Sequence, residues 1–231
     1  MQLKLSQISD LRSGILTDLQ AGVNPKSIKN IIFDFGNVIC DIEVKRTEAA
    51  FLNMGLKTFD PDYGMTGSTS LFNALETGTV TPREFRDQLR KFFLNPVTDE
   101  QIDNAWNALL LEIPEPRVRL LEKVRRHFRI FLLSNTNEIH YRKYRENLRQ
   151  FGYPDFDALF EKVYLSHRLG IRKPSKEIFI HVLTDAGLNP AETLFIDDTL
   201  MHVEAAWKLG INAHHLQIQN GEQIMDLFMP A

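Results

Sequence analysis

The sequence predicts an α/β protein, a parallel sheet with helices on both faces, interrupted early by a bundle of helices. Three observations carry this expectation. Four short apolar runs, Ile31-Ile32-Phe33, Ile130-Phe131-Leu132-Leu133, Val163-Tyr164-Leu165 and Leu194-Phe195-Ile196, lack polar alternation, as strands covered on both faces do. Helical patterns separate the later runs, the βαβ arrangement that builds parallel sheets. From Glu43 to about Glu112 the pattern is helical throughout, with no strand signal.

The chain has 231 residues, 43% hydrophobic and 25% charged, which is ordinary globular usage for one or two domains. A net charge of -3 gives no electrostatic footprint for nucleic acid. No apolar run exceeds four residues, so neither a membrane-spanning helix nor a signal-peptide core is expected, and the expected location is the cytoplasm. The one cysteine, Cys40, has no partner for an internal disulfide and no neighbouring ligands at metal-site spacing, which makes it a small buried hydrophobe.

Taken in order, residues 1–29 read as a helical extension, with Leu5, Ile8, Leu11, Ile15 and Leu19 on one face and a turn at Asn24-Pro25. The first strand then runs into Asp34 and Gly36. An acid at a strand's carboxyl end faces the crevice where open α/β sheets bind ligands, and Gly36 lets the chain turn sharply there. Within 43–112, Asp60-Pro61-Asp62-Tyr63-Gly64 and Gly67-Ser68-Thr69-Ser70 break the helices apart. Thr81-Pro82-Arg83-Glu84 and Thr98-Asp99-Glu100-Gln101 have capping-box spacing, and Phe85, Leu89, Phe92 and Phe93 form an apolar face.

After Pro116, Val118, Leu121 and Val124 form a helix face ahead of the second strand. That strand ends in Ser134-Asn135-Thr136-Asn137, where a hydroxyl and free amides can bind a phosphate oxygen or cap the next helix. Arg142, Lys143, Arg145 and Arg149 read as a solvated helical face. The third strand leads to Lys173-Pro174, and proline at a first helical position predicts a helix from 174 to about 186. Lys173 would then oppose the helix dipole, for which a shared anion supplies a reason. The fourth strand ends in Asp197-Asp198-Thr199. Two adjacent acids there suit a hard divalent cation, although Asp198 or Thr199 as a plain helix cap is the alternative.

Together the four strand ends carry a carboxylate, a hydroxyl, a cation and an acid pair, the parts of a phosphoryl-transfer site. Phe33-Asp34-Phe35-Gly36-Asn37-Val38, Leu133-Ser134-Asn135, Arg172-Lys173-Pro174 and Phe195-Ile196-Asp197-Asp198 resemble, in order, the four motifs of the haloacid dehalogenase superfamily. The form of these motifs most resembles the sugar-phosphatase branch that includes alpha-D-glucose-1-phosphate phosphatase. The resemblance implies a Rossmann-like, doubly wound catalytic core at 30–42 and 113–231 and a helical cap at 43–112. It also implies a magnesium-dependent phosphatase acting on a small phosphomonoester, a sugar phosphate, through an aspartyl-phosphate. Asp34 would be the nucleophile, with Ser134, Asn135 and Lys173 holding the phosphoryl group and Asp34, Gly36, Asp197 and Asp198 the magnesium.

Gly36 departs from the family pattern. Most phosphatases of the family carry an aspartate there, whose carbonyl binds magnesium and whose side chain is the general acid/base. Glycine can supply only the carbonyl, and the lost acid/base step is typically worth about 10²–10⁴ in rate. Asp41 and Arg46, near the expected cap hinge, are candidate leaving-group contacts or ordinary surface residues. The expected partner is a small phosphate ester, with no nucleic acid or membrane, and the chain is expected to be a monomer or homodimer. A 2-haloacid dehalogenase also lacks the second acid, but it carries small neutral residues in place of Asp197 and Asp198. A non-catalytic phosphate- or partner-binding protein is the other alternative.

Overall fold

The computed structural model describes residues 24–56, 71–150 and 152–228. The expected helix around Leu5 to Leu19 and the two breaks at 60–64 and 67–70 lie outside them. Five parallel strands form one sheet: β1 (Asn30–Phe33), β2 (Arg129–Ser134), β3 (Lys162–Leu165), β4 (Thr193–Asp197) and β5 (Asn212–His215), in the order β3-β2-β1-β4-β5. The first four fall on the four apolar runs. β5 was not expected, because Asn212-Ala213-His214-His215 reads as polar. Its place at the edge explains this: it pairs with β4 alone, and its polar side chains are hydrogen-bonded, Asn212 to the carbonyls of Ala191 and Thr193 and His214 to Glu222.

The helices are α1 (Val44–Asn53), α2 (Leu71–Glu76), α3 (Pro82–Arg90), α4 (Asp99–Asn107), α5 (Glu115–Val124), α6 (Glu138–Gln150), α7 (Ser166–Leu169), α8 (Lys176–Asp185) and α9 (Leu200–Trp207). Side chains alternate across a strand, so Ile31, Phe33, Ile130 and Leu132 pack on one face with Val118, Leu121 and Tyr144 of α5 and α6. Ile32, Phe131, Leu133 and Phe195 pack on the other with Ile178, Phe179, Val203 and Ala206 of α8 and α9. Each fully buried aliphatic or aromatic residue contributes about 1.5–3 kcal/mol, so two covered faces repay the missing polar positions.

The helices inserted after β1 have their own core of Phe51, Phe72, Leu75, Phe85, Leu89, Ile102 and Trp106. Both capping boxes form: Thr81 exchanges bonds with Glu84, and Thr98 with Gln101. Phe92 departs from the expected face. α3 ends at Arg90, which leaves Phe92 beyond the last turn and 40% exposed.

The second correction concerns Pro174. The Lys173–Pro174 peptide is cis, Ser175 N–H closes a turn on the Arg172 carbonyl at 3.0 Å, and α8 begins only at Lys176. Pro174 is therefore not a first helical residue. Lys173 meets its anions elsewhere, among the strand-end carboxylates.

Candidate active site

From β1 the chain crosses to β2 and β3 on one side and later returns to β4 and β5 on the other. The gap between β1 and β4 is thus the topological switch point, where open α/β sheets hold ligands at the carboxyl ends of the strands. Asp34 follows the last residue of β1, its N–H donating to the Ile196 carbonyl at 2.9 Å, and Asp197 ends β4 beside it. Lys173 joins the two. Its ammonium is completely buried and donates to Asp34 Oδ1 at 2.7 Å, Asp197 Oδ2 at 2.6 Å and the Leu133 carbonyl at 3.0 Å, so all three N–H groups are used.

The charges are unequal in their comfort. Burial pushes the Asp34 carboxyl up to about 7, Lys173 opposing the shift and Asp197 adding to it. Asp197 is also desolvated, but Lys173 and a bond from His202 outweigh burial and hold it down to about 2. Burial works against the Lys173 ammonium, yet Asp197 and Asp34 together keep its pKa above that of an ordinary lysine. The cluster therefore holds a permanent Lys173–Asp197 pair and one carboxyl, Asp34, whose ionisation depends on what else enters the site.

Asp198 points to different partners. Its Oδ2 accepts from Asn37 Nδ2 at 2.8 Å, and its Oδ1 from the Thr199 hydroxyl at 3.3 Å. Neither Asp198 nor Thr199 caps α9 through its side chain; the Thr199 N–H is taken by Asp197 Oδ1 at 2.8 Å. Asp34, Asp197 and Asp198 each present an oxygen within 4.8 Å of the others, and no hydrogen bond takes up the Gly36 carbonyl among the described residues. Such an all-oxygen set fits a hard divalent cation. Asp197, with both oxygens engaged by Lys173, Thr199 and His202, is the least free of the three acids.

With this geometry in place, comparison with known proteins is decisive. Residues 28–210 match the haloacid dehalogenase-like hydrolase family. The chain belongs to that family. This haloacid dehalogenase-like chain is 34% identical over 195 residues to the D-ribitol-5-phosphate phosphatase of Bacteroides thetaiotaomicron, covering 84% of its own length and 93% of the relative's. Its fold superposes on an enzyme of the family from the same organism, solved with magnesium and inorganic phosphate, at a TM-score of 0.75 with 37% identity, over 81% of this chain and 93% of the other. A HAD-like family hydrolase from Porphyromonas gingivalis gives a TM-score of 0.70 at 32% identity, over 81% and 90%. The haloacid dehalogenase-like chain is accordingly a hydrolase of this family, with a Rossmann-like core and an inserted helical cap.

The remaining candidates of this hydrolase are placed as follows. Ser134 ends β2 and is buried, its hydroxyl engaging no protein partner among the described residues. Asn135 grips the Lys173 backbone from both sides: its Nδ2 donates to the Lys173 carbonyl and its Oδ1 accepts from the Lys173 N–H, each at 2.9 Å. Asp41 is not drawn into the carboxylate cluster; it is paired with Arg117 of α5 at 2.7 Å. Arg46 lies on α1, exposed and paired with Glu43 at 3.1 Å. A side chain at Gly36 would meet Ile42 Cδ1 at 3.0 Å, so Ile42 fills the space where an acid would start.

Two participants were not singled out beforehand. Asn37 has a left-handed backbone, φ 56°, accepts the Ile42 N–H on its Oδ1 and donates to Asp198. The Gly36-Asn37 pair is a turn signal, since asparagine tolerates that conformation best after glycine. His202 lies in the first turn of α9, its Nδ1 3.0 Å from both oxygens of Asp197. Only its spacing after the acid pair hinted at this.

Proposed function

We propose that this hydrolase cleaves small sugar or sugar-alcohol phosphates through an aspartyl-phosphate on Asp34. The observation that carries the reading is Asp34 itself, a carboxyl at the switch point held by Lys173 at 2.7 Å, with an oxygen within 4.8 Å of Asp197 and Asp198. The sugar-phosphate class is supported by the relative named for D-ribitol 5-phosphate, which this chain matches over 93% of its length. We take the cap as 43–112 and the core as 30–42 with 113–231.

In this mechanism ionised Asp34 attacks phosphorus, and the ester oxygen leaves with the bonding pair. Lys173 turns one N–H toward a phosphoryl oxygen, and the Ser134 hydroxyl with the Asn135 N–H holds another. Asp34, the Gly36 carbonyl and Asp198 would hold magnesium directly, with Asp197 behind them orienting Lys173; the ion, when bound, offsets negative charge on the phosphoryl oxygens. Water then attacks the acyl phosphate, releases inorganic phosphate and restores Asp34. Because Gly36 offers no proton, charge on the departing oxygen is relieved by solvent.

The test is phosphate release from a panel of sugar and sugar-alcohol phosphates with and without magnesium. Asp34→Asn should lower turnover by at least ~10³-fold, as removal of a nucleophile does, while the fold persists. Rapid acid quench followed by intact-mass measurement should show a phosphoryl adduct on the wild type alone. An unchanged rate in the asparagine variant would overturn the mechanism.

A further inference from the structure

The cap brings a carboxylate, Glu76, to the segment that carries Lys173. Glu76 is the last residue of α2, and Arg172, the residue before Lys173, reaches across to it: Arg172 Nη1 forms an ion pair with Glu76 Oε2 at 3.0 Å and donates to Asn73 Oδ1. The Glu76 side chain is 25% exposed and that of Arg172 35%, so solvent reaches both members of the pair. A Cβ at Gly78, two residues on, would come within 2.2 Å of the His167 carbonyl, so this end of α2 rests directly on the core.

Glu76 also lies within the field of the catalytic lysine. Burial raises its pKa, and Arg172 and then Lys173 pull the other way. Its second oxygen, Oε1, accepts no hydrogen bond among the described residues. With the phosphoryl group held at Asp34 and Lys173, the leaving group extends from the strand ends toward the cap. A carboxylate only accepts hydrogen bonds, and beside a phosphate dianion it repels. It therefore cannot serve as a phosphate ligand, and the donors it can meet in the crevice are hydroxyls of the leaving group.

We infer that Glu76, oriented by Arg172, selects hydroxyl-bearing leaving groups over alkyl ones by accepting a hydrogen bond on its free oxygen. This rests on the phosphatase reading above and adds to it a specificity-determining residue. A buried or half-buried acceptor placed for a hydroxyl rejects the analogue that lacks it, because the acceptor is then left unpaired.

The experiment compares kcat/KM for ribitol 5-phosphate and n-pentyl phosphate, with magnesium, in wild type, Glu76→Leu and Glu76→Gln. Glu76→Leu should lose about 10–100-fold on the polyol ester, the range for a hydrogen bond to a charged group, and less than about threefold on the alkyl ester. Glu76→Gln, which keeps an acceptor oxygen without the charge, should fall between. A role confined to holding Arg172 would move both esters alike, so an unchanged polyol-to-alkyl ratio in Glu76→Leu overturns the inference while leaving the phosphatase reading intact. Wild type that cleaves neither ester, nor any other in the panel, overturns both. If Glu76→Leu fails to fold, losing both esters together with its thermal transition, the ratio in Glu76→Gln decides by the same criterion.

Discussion

Among the described residues, two contacts between cap and core are of opposite character. At the first, Asn137 of the core is completely buried, and its Oδ1 accepts from the Ile139 and His140 N–H groups at 3.1 Å and from Trp106 Nε1 of the cap at 3.3 Å. Three donors fix the amide's orientation, so its Nδ2 must donate to His140 Nδ1, at 3.0 Å, and His140 Nε2–H to the Trp106 carbonyl, at 3.1 Å. The stacked Trp106 and His140 rings, 4.7 Å apart, close the arrangement, and burial lowers His140 to about 4, leaving it neutral. At the second, Arg172 and Glu76 are charged and in contact with solvent. Groups at the dry junction are bonded to one another away from solvent and hold the cap in place. Those at the wet one can exchange protein for substrate.

The largest expected effect comes from the deepest charge. Lys173→Met would leave Asp34 and Asp197 buried without their shared cation, which should cost about 3–5 kcal/mol in denaturant unfolding and eliminate turnover. A loss under ~1 kcal/mol would mean that the pair of acids is solvated rather than dry.

Next is the linkage between protons and magnesium. The Asp34 pKa in the folded protein, about 7, lies above its ordinary 3.8, so the folded state binds that proton more tightly than the unfolded chain does. Its ionisation costs stability as pH rises from about 4 through 7, and a cation that requires the ionised carboxylate must displace the proton below that point. The magnesium concentration that half-saturates the thermal shift should fall roughly tenfold per pH unit between about pH 5 and 7 and level off above. Asp34→Asn should abolish this slope, and a pH-independent wild type would remove Asp34 from the metal's ligands.

The smallest effect tests the dry junction. Asn137→Ala leaves two backbone N–H groups and the Trp106 indole N–H without their protein acceptor; a water entering the vacated space takes up part of this, for a total loss of about 1–3 kcal/mol. Unfolding should show this loss, with KM for every ester rising as the cap loosens. Selective loss on polyol esters alone would contradict the division of labour between the two junctions.

Much of this molecule is legible in one dimension. Unbroken apolar runs such as Ile31-Ile32-Phe33 can be satisfied only by a strand covered on both faces, and Thr81 with Glu84 or Thr98 with Gln101 fixes a helix start through bonds between residues three apart. The acids and the serine stand at strand ends because local pattern ends the strands there, whereas Lys173 reaches them from the turn between α7 and α8. β5 escaped notice because an edge strand is not required to be apolar. Pro174 misled because its turn is set by the Asn135 amide gripping Lys173 from 38 residues away. Which acid is free and which is committed, the pairing of Asp41 with Arg117, the clamp of Asn37 on Asp198 and the reach of Arg172 to Glu76 all join residues distant in sequence. Local propensity carries no information about such contacts; only the switch-point topology and the seating of the cap bring these charges within bonding distance, and desolvation there sets their ionisation.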